Sequence, residues 1–296
     1  MENPRPTDLI LPSGLDWLRP STIGQSWLNC LPRLVGECAD RWGLVVGKAF
    51  PYAYTSLVLP ATTADGRDVV LKLRYPDDES EHEAEALLAW DGSGAVRLLD
   101  QDQDRHAMLL ERCRPGRYLS TAGAAAGLDV LIRLLPRLWV SVDNSFTSLS
   151  DEAERWVANL PLEFEEAGEP FARSILDTAI DALCELSASQ GEQVLLHQDL
   201  HGNNVLSAAR EDWLAIDPKP LLGEREFGLS PIIRSAEFGH SKGEVLYRLD
   251  RLTDELDLDR ERARLWTVGQ TVAWGFEGGR VLNAHIDVAR WLLESG

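Results

Sequence analysis

Two short runs rich in β-branched residues, TSLVLPA (55–61) and RDVVLKLRY (67–75), flank a turn carrying Asp65-Gly66. That dipeptide accepts the positive backbone angles of a tight hairpin, so the two runs read as paired antiparallel strands. GLVVGKAF (43–50) before them, and AVRLLD (95–100) and HAMLLERC (106–113) after them, have the same character and extend the sheet. A leading helix fits 25–42, where Leu28, Leu31, Leu34, Val35 and Cys38 recur at helical spacing, with Pro32 as its weak point. A second helix fits 79–90, carrying Ala84, Leu87 and Leu88 and stopped by Asp91-Gly92.

The period changes after RPGR (114–117). Leu128, Ile132, Leu135 and Trp139 fit one helix, and Ile175, Ala179, Ala182, Leu183 and Leu186 another. Two strand-like runs follow, VLL (194–196) and DWLAID (212–217), and then helices to the C-terminus. Strands gathered early and helices late give an α+β chain, with a small lobe over 1–112 and a larger helical lobe over 113–296. At 296 residues two compact units are the natural division.

A formal charge of −19 argues against a nucleic-acid footprint, which needs clustered Lys and Arg, and favours a cationic ligand. No apolar run approaches the roughly 20 residues of a membrane-spanning helix. The opening MENPRPTDLILP lacks a basic stretch followed by a long apolar one, so a cytoplasmic protein is the expectation; a monomer is expected as well. The four cysteines, Cys30, Cys38, Cys113 and Cys184, form no C-x-x-C pair and indicate neither a zinc site nor a disulfide framework.

The densest chemistry lies in HQDLHGNN (197–204), between the apolar runs 194–196 and 205–206. Asp199 and Asn204, five residues apart on one loop, can converge: a carboxylate to accept a hydroxyl proton, and a neutral amide oxygen for a hard cation. Asp217 ends the next strand-like run and adds a second oxygen ligand. Two such ligands are what Mg²⁺ takes from a protein when phosphates and water fill its remaining positions. Because Asp, Asn and Gly are also common turn residues, the reading depends on the company they keep. Upstream, Lys72 lies on the strand VVLKL, opposite the face of Val69, Leu71 and Leu73. In the following helix Glu83 and Glu85 can pair with it, and Glu83, one turn before Leu87, points more nearly inward.

Strand lysine, helix glutamate, H-x-D with Asn five residues beyond, and a strand-terminal Asp together resemble the kinase constellation. HQD replaces H-R-D, Ile216-Asp217-Pro218 stands in place of D-F-G, and A-P-E is missing, so the likeness is not to protein kinases proper. HQDLHGNN and AIDPKP, with LKL, EHEAEALLAW, LLERCRPG and IDPKPLLGE, instead resemble the aminoglycoside phosphotransferase family, in its streptomycin 6-phosphotransferase and hydroxyurea phosphotransferase branch, over roughly residues 40 to 240. The resemblance implies a protein-kinase-like fold and transfer of the γ-phosphoryl of ATP to a small-molecule hydroxyl. In that scheme Asp199 receives the hydroxyl proton, Asn204 and Asp217 hold Mg²⁺, Lys72 braced by Glu83 meets the nucleotide phosphates, and the backbone from Glu111 to Cys113 meets adenine. His197 holds the loop. GKAFPYAYTS lacks a G-x-G-x-x-G pattern, so no phosphate-loop residue is assigned, and Gly228 stands where many relatives carry an Asp that buffers the catalytic loop.

A cationic acceptor calls for carboxylates, and Glu224, Glu226, Glu237, Asp250, Glu277 and Asp287 are candidates, with Trp266, Trp274 and Trp291 near them in sequence. A kinase of another metabolite, and a catalytically silent kinase-like binding protein, are the alternatives. Retention of Lys72, Asp199, Asn204 and Asp217 together argues against the second.

Overall fold

The computed structural model describes residues 9–51, 54–76, 81–142 and 146–295. The chain divides into one compact unit of Met1–Gly116 with Ala208–Arg210, and another of Arg117–Ser207 with Glu211–Gly296. In the first unit, helix α1 (Thr22–Trp42) begins earlier than the apolar pattern indicates, because the Ser21 hydroxyl caps it by accepting the Gly24 N–H. Pro32 lies inside α1 without ending it. Leu28, Leu31 and Cys38 are buried on the same helix, and burying a leucine side chain contributes about 2 kcal/mol, which offsets the hydrogen bond that proline forgoes.

Strands β1 (Leu44–Val46), β2 (Ser56–Thr63), β3 (Asp68–Arg74), β4 (Leu98–Asp102) and β5 (Ala107–Glu111) form one antiparallel sheet in the order β1-β2-β3-β5-β4. The expected hairpin is β2–β3, with Leu57 opposite Leu73 and Leu59 opposite Leu71. These leucines and Leu31 and Cys38 of α1 belong to one core. β1 is much shorter than the run 43–50, and β4 begins at Leu98 rather than at 95, with a register shift between Leu98 and Asp100. Helix α2 (Glu83–Trp90) follows β3; the start expected at residue 79 lies outside the described residues.

The second unit is mainly helical: α3 (Ala124–Leu138), α4 (Leu149–Glu166), α5 (Arg173–Ala188), α6 (Ser230–Arg234), α7 (Lys242–Leu256), α8 (Arg260–Ala273) and α9 (Asn283–Leu293). Trp139, expected on α3, is its C-terminal cap. Two antiparallel ribbons sit among the helices, β6 (Gln193–Leu196) with β9 (Leu221–Glu224) and β7 (Val205–Ser207) with β8 (Trp213–Ala215). A two-residue ribbon, β10 (Phe276–Glu277) with β11 (Arg280–Val281), precedes α9. Among the described residues no helix is long and apolar enough to cross a membrane.

Buried polar side chains fix the helices against these ribbons. Glu224, 2% exposed at the end of β9, accepts three hydrogen bonds from Arg262 of α8, one from the Trp266 indole and one from the Gly191 N–H. Arg248 of α7, equally buried, donates to the carbonyls of Ile233, Phe238 and Gly239, tying α6 to the segment that links it to α7. Burial pushes its guanidinium pKa down to about 10, still high enough to keep it charged. Arg248→Met leaves these carbonyls without their charged donor and is expected to lower unfolding free energy by about 3 kcal/mol, measured by chemical denaturation.

Candidate active site

In the first unit, Lys72 is buried although strand alternation sets it opposite Val69, Leu71 and Leu73. Its ammonium donates to both carboxylate oxygens of Glu83 at 2.7 Å, and Glu83 is only 1% exposed. A lysine and a glutamate this deep are found together because either alone would carry an uncompensated charge. Glu83, rather than Glu85, is the partner.

Glu111 ends β5, and its side chain and N–H are committed locally. Its carboxylate accepts from Arg210 at 2.9 Å and from the Arg97 N–H at 3.1 Å, while its own N–H donates to the Arg97 carbonyl at 2.9 Å. The expected adenine contact at 111–113 therefore falls to backbone groups other than the Glu111 N–H. The Cys113 thiol is pushed up to about 12 by burial, with the charge of Glu111 adding to the effect.

In the second unit, β6 runs into HQDLHGNN and the chain returns as β7. Gln198 and Asp217 both take left-handed backbone angles, with φ 61 and φ 58, conformations that non-glycine residues adopt at a cost of order 1 kcal/mol and that cluster at functional sites. His197 is pushed down to about 4 by burial and is neutral, so its Nε2–H donates to the Ile216 carbonyl at 3.0 Å. The Ile216 N–H in turn donates to the Asn204 carbonyl at 2.9 Å, and the Lys219 N–H to the His197 carbonyl at 3.0 Å. These three bonds tie the backbone flanking Asp217 to the loop that carries Asp199 and Asn204, although β8 ends at Ala215 and Asp217 stands two residues beyond it. His197 thus holds the loop, as the resemblance implied.

The Asn204 amide nitrogen donates to the Asp199 carbonyl at 2.8 Å and reaches Asp199 Oδ2 at 3.3 Å. This leaves the amide oxygen as the atom for a hard cation. Asp199 Oδ1 lies 3.7 Å from His201 Nε2 and 3.9 Å from Arg234 Nη2. Arg234, at the end of α6, sits over the Trp274 ring at 4.5 Å and donates to Gln270 Oε1 at 3.4 Å. Burial pushes its pKa down to about 10, opposed by Asp199. Lys219 approaches the same Trp274 ring at 4.7 Å. His201 Nδ1 meets Glu237 Oε1 at 2.5 Å, and although burial opposes a charge there, the Glu237 hydrogen bond and the charge of Asp199 hold its pKa above the usual histidine value.

At Gly228 an added Cβ would lie 3.2 Å from Leu196 and 3.4 Å from the Trp139 indole nitrogen. A loop contact comes from α8 instead, where the fully buried Gln270 amide donates to the Gln198 carbonyl at 3.4 Å.

Most of the acids proposed for a cationic acceptor are engaged elsewhere. Glu224 is locked to Arg262 and Trp266, Asp250 pairs with Arg260, Asp287 with Arg290, and Glu226 accepts the Asp259 N–H. Trp266 is fully buried and Trp291 packs on His240, while Glu277 lies on β10. Arg234 and Gln270 were missed in the sequence because they belong to no motif and lie more than thirty residues beyond the loop they touch. Among the described residues no cluster of three His, Cys, Asp or Glu has metal-site geometry. The oxygens of Asn204 and Asp217 fit the small protein share of a magnesium shell, which nucleotide phosphates and water complete.

Comparison with known proteins places this arrangement in context. The family model for aminoglycoside/hydroxyurea antibiotic resistance kinases matches residues 41–279. The chain is 42% identical over 273 residues to a hydroxyurea phosphotransferase of Kitasatospora aureofaciens, covering 90% of this chain and 79% of that one. It is 38% identical over 276 residues to a streptomycin 6-kinase of Streptomyces griseus, covering 90% of each. The crystal structure of the choline kinase LicA from Streptococcus pneumoniae superimposes with a TM-score of 0.64 at 13% identity, over 89% of this chain and 99% of that one, a likeness of fold. The fold is protein-kinase-like, with an antiparallel sheet in the N-terminal lobe and a helical C-terminal lobe. Spanning most of its length with that model and with these identities, the chain belongs to the aminoglycoside/hydroxyurea antibiotic resistance kinase family and is a phosphotransferase.

Proposed function

We propose that the chain transfers the γ-phosphoryl of ATP to a hydroxyl of an aminoglycoside such as streptomycin, inactivating it, as a cytoplasmic monomer. The observation that carries the chemistry is the loop in which the Asn204 side chain holds Asp199 while His197 and Asn204 both bond Ile216, next to Asp217. The 38% identity to a streptomycin 6-kinase supports the acceptor. Asp199 orients the acceptor hydroxyl and receives its proton as the oxygen attacks phosphorus and the bond to ADP breaks. Asn204 and Asp217 hold Mg²⁺. The ion, when bound, neutralises phosphate charge. Lys72, kept in place by Glu83, contacts the nucleotide phosphates, and the backbone from Glu111 to Cys113 meets adenine. Phosphoryl transfer asks for little covalent work from a protein, so positioning and charge carry most of the rate.

A second reading, phosphorylation of hydroxyurea, is favoured by the 42% identity to a hydroxyurea phosphotransferase. Purified protein incubated with Mg-ATP and, separately, streptomycin, other aminoglycosides or hydroxyurea tests both, with mass spectrometry of the products. A gain of one phosphoryl on streptomycin is the expected result. Transfer to hydroxyurea alone selects the second reading, and ATP binding with no transfer to any acceptor overturns both.

A further inference from the structure

Beyond the reaction residues, HQDLHGNN contains a second histidine whose role the motif leaves open. His201 is held at one nitrogen and aimed at the catalytic carboxylate with the other: Nδ1 meets Glu237 Oε1 at 2.5 Å, and Nε2 lies 3.7 Å from Asp199 Oδ1. Glu237 comes from the segment between α6 and α7, far along the chain. Three features hold it there. Asn203 donates its amide to Glu237 and accepts the Ser120 hydroxyl at 2.6 Å. Gly202 leaves room for the acid, since a Cβ at that position would lie 2.5 Å from Glu237 Oε2 and 2.9 Å from the Ser120 nitrogen. Arg248 ties Ile233 of α6 to the same segment at Phe238 and Gly239.

The geometry points to His201 and Glu237 as a positioning pair for the carboxylate of Asp199, an inference that rests on Asp199 being the group that receives the acceptor proton. Asn204 borders Oδ2 at 3.3 Å, while His201 and Arg234 border Oδ1, so the plane of the carboxylate is set from both sides. Glu237 and Arg234 lie three residues apart, so one short segment both braces the imidazole and supplies the guanidinium. An acid that must meet a hydroxyl in line with a phosphoryl group gains from such fixing, because a misplacement of about 1 Å costs on the order of a hundredfold in rate. Glu237, considered above as a carboxylate for a cationic acceptor, acts instead on the catalytic loop.

Two substitutions of His201 separate positioning of Asp199 from mere attachment of the loop. Asparagine places its amide near the Nδ1 position and keeps the link to Glu237; glutamine places its amide near Nε2 and keeps the approach to Asp199. With the acceptor identified by the panel above, streptomycin in the first instance, H201N is expected to lower kcat by about a hundredfold with KM for ATP nearly unchanged, and H201Q, which loses the Glu237 link but keeps the approach to Asp199, to lower it by only about tenfold. The reverse order, or full kcat in both, overturns the inference. E237Q gives an independent reading: it keeps an acceptor oxygen but loses the charge, and is expected to lower kcat by about threefold to tenfold, whereas unchanged turnover counts against the pair. Thermal unfolding of each variant confirms that a folded protein is being assayed. D199N, run alongside, distinguishes the two failures: an active D199N sinks the role of Asp199, whereas an inactive D199N with a fully active H201N sinks only the positioning pair.

Discussion

Asp199→Asn is expected to lower kcat by about a thousandfold with little change in ATP affinity, as measured by steady-state turnover and nucleotide titration. General acid–base groups contribute about 10² to 10⁴ in rate, and this substitution removes proton acceptance while keeping size and hydrogen-bonding capacity. The surroundings make it a clean comparison. The Asn204 bond to the Asp199 backbone carbonyl at 2.8 Å survives, as do the loop ties made by His197. The substitution also removes the negative charge facing His201 and the Arg234 guanidinium, so thermal unfolding of the variant accompanies the kinetics. Full turnover by the variant on a confirmed acceptor would remove Asp199 from the mechanism.

Lys72→Met is expected to abolish measurable turnover and also to destabilise the protein by about 3 kcal/mol, because it strands the buried carboxylate of Glu83. The double variant K72M/E83Q separates the two effects. Neutralising Glu83 removes the stranded charge, so unfolding free energy returns most of the way to that of the parent while activity stays lost. If the double variant regained turnover, Lys72 would be a structural lysine and its contact with the nucleotide phosphates would fall. If it stayed as unstable as K72M, the pair would owe its stability to something other than charge compensation.

The difference between what was and was not legible in the sequence follows from range. The β2–β3 hairpin was readable because its turn and its alternation are local. Asp199, Asn204 and Asp217 were proposed as a group for the same reason: a loop eight residues long and one acid two residues beyond β8 contain them. Lys72 was harder. Strand alternation set it on the face opposite Leu71 and Leu73, the pattern of a solvent-facing lysine, and only its closure onto Glu83 eleven residues away shows that both faces of β3 are covered at that point. The ends of elements were misjudged where caps or bulges decided them: Ser21 starts α1 early, and the irregularity at Leu98 and Asp100 displaces β4. Arg234, Glu237 and Gln270 could not be assigned from sequence, because nothing in PIIRSAEF or in TVGQTV announces that these side chains reach a loop more than thirty residues earlier.

The acids of the C-terminal region show the same limit from the other side. Glu224, Asp250 and Asp287 look interchangeable as carboxylates near tryptophans, yet each has an arginine partner. A count of acids therefore overstates how many remain to attract a cation.

The partial burial of Cys113 has a practical consequence for chemical labelling. With its thiol pushed up to about 12, almost none of it is thiolate at neutral pH, and alkylating reagents react with the thiolate. Cys38 is similarly protected, raised to about 11 by burial, whereas Cys184 stands exposed on α5. A maleimide dye added briefly at neutral pH will mark Cys184 first, giving a reporter on the helical unit that leaves the segment expected to meet adenine chemically untouched.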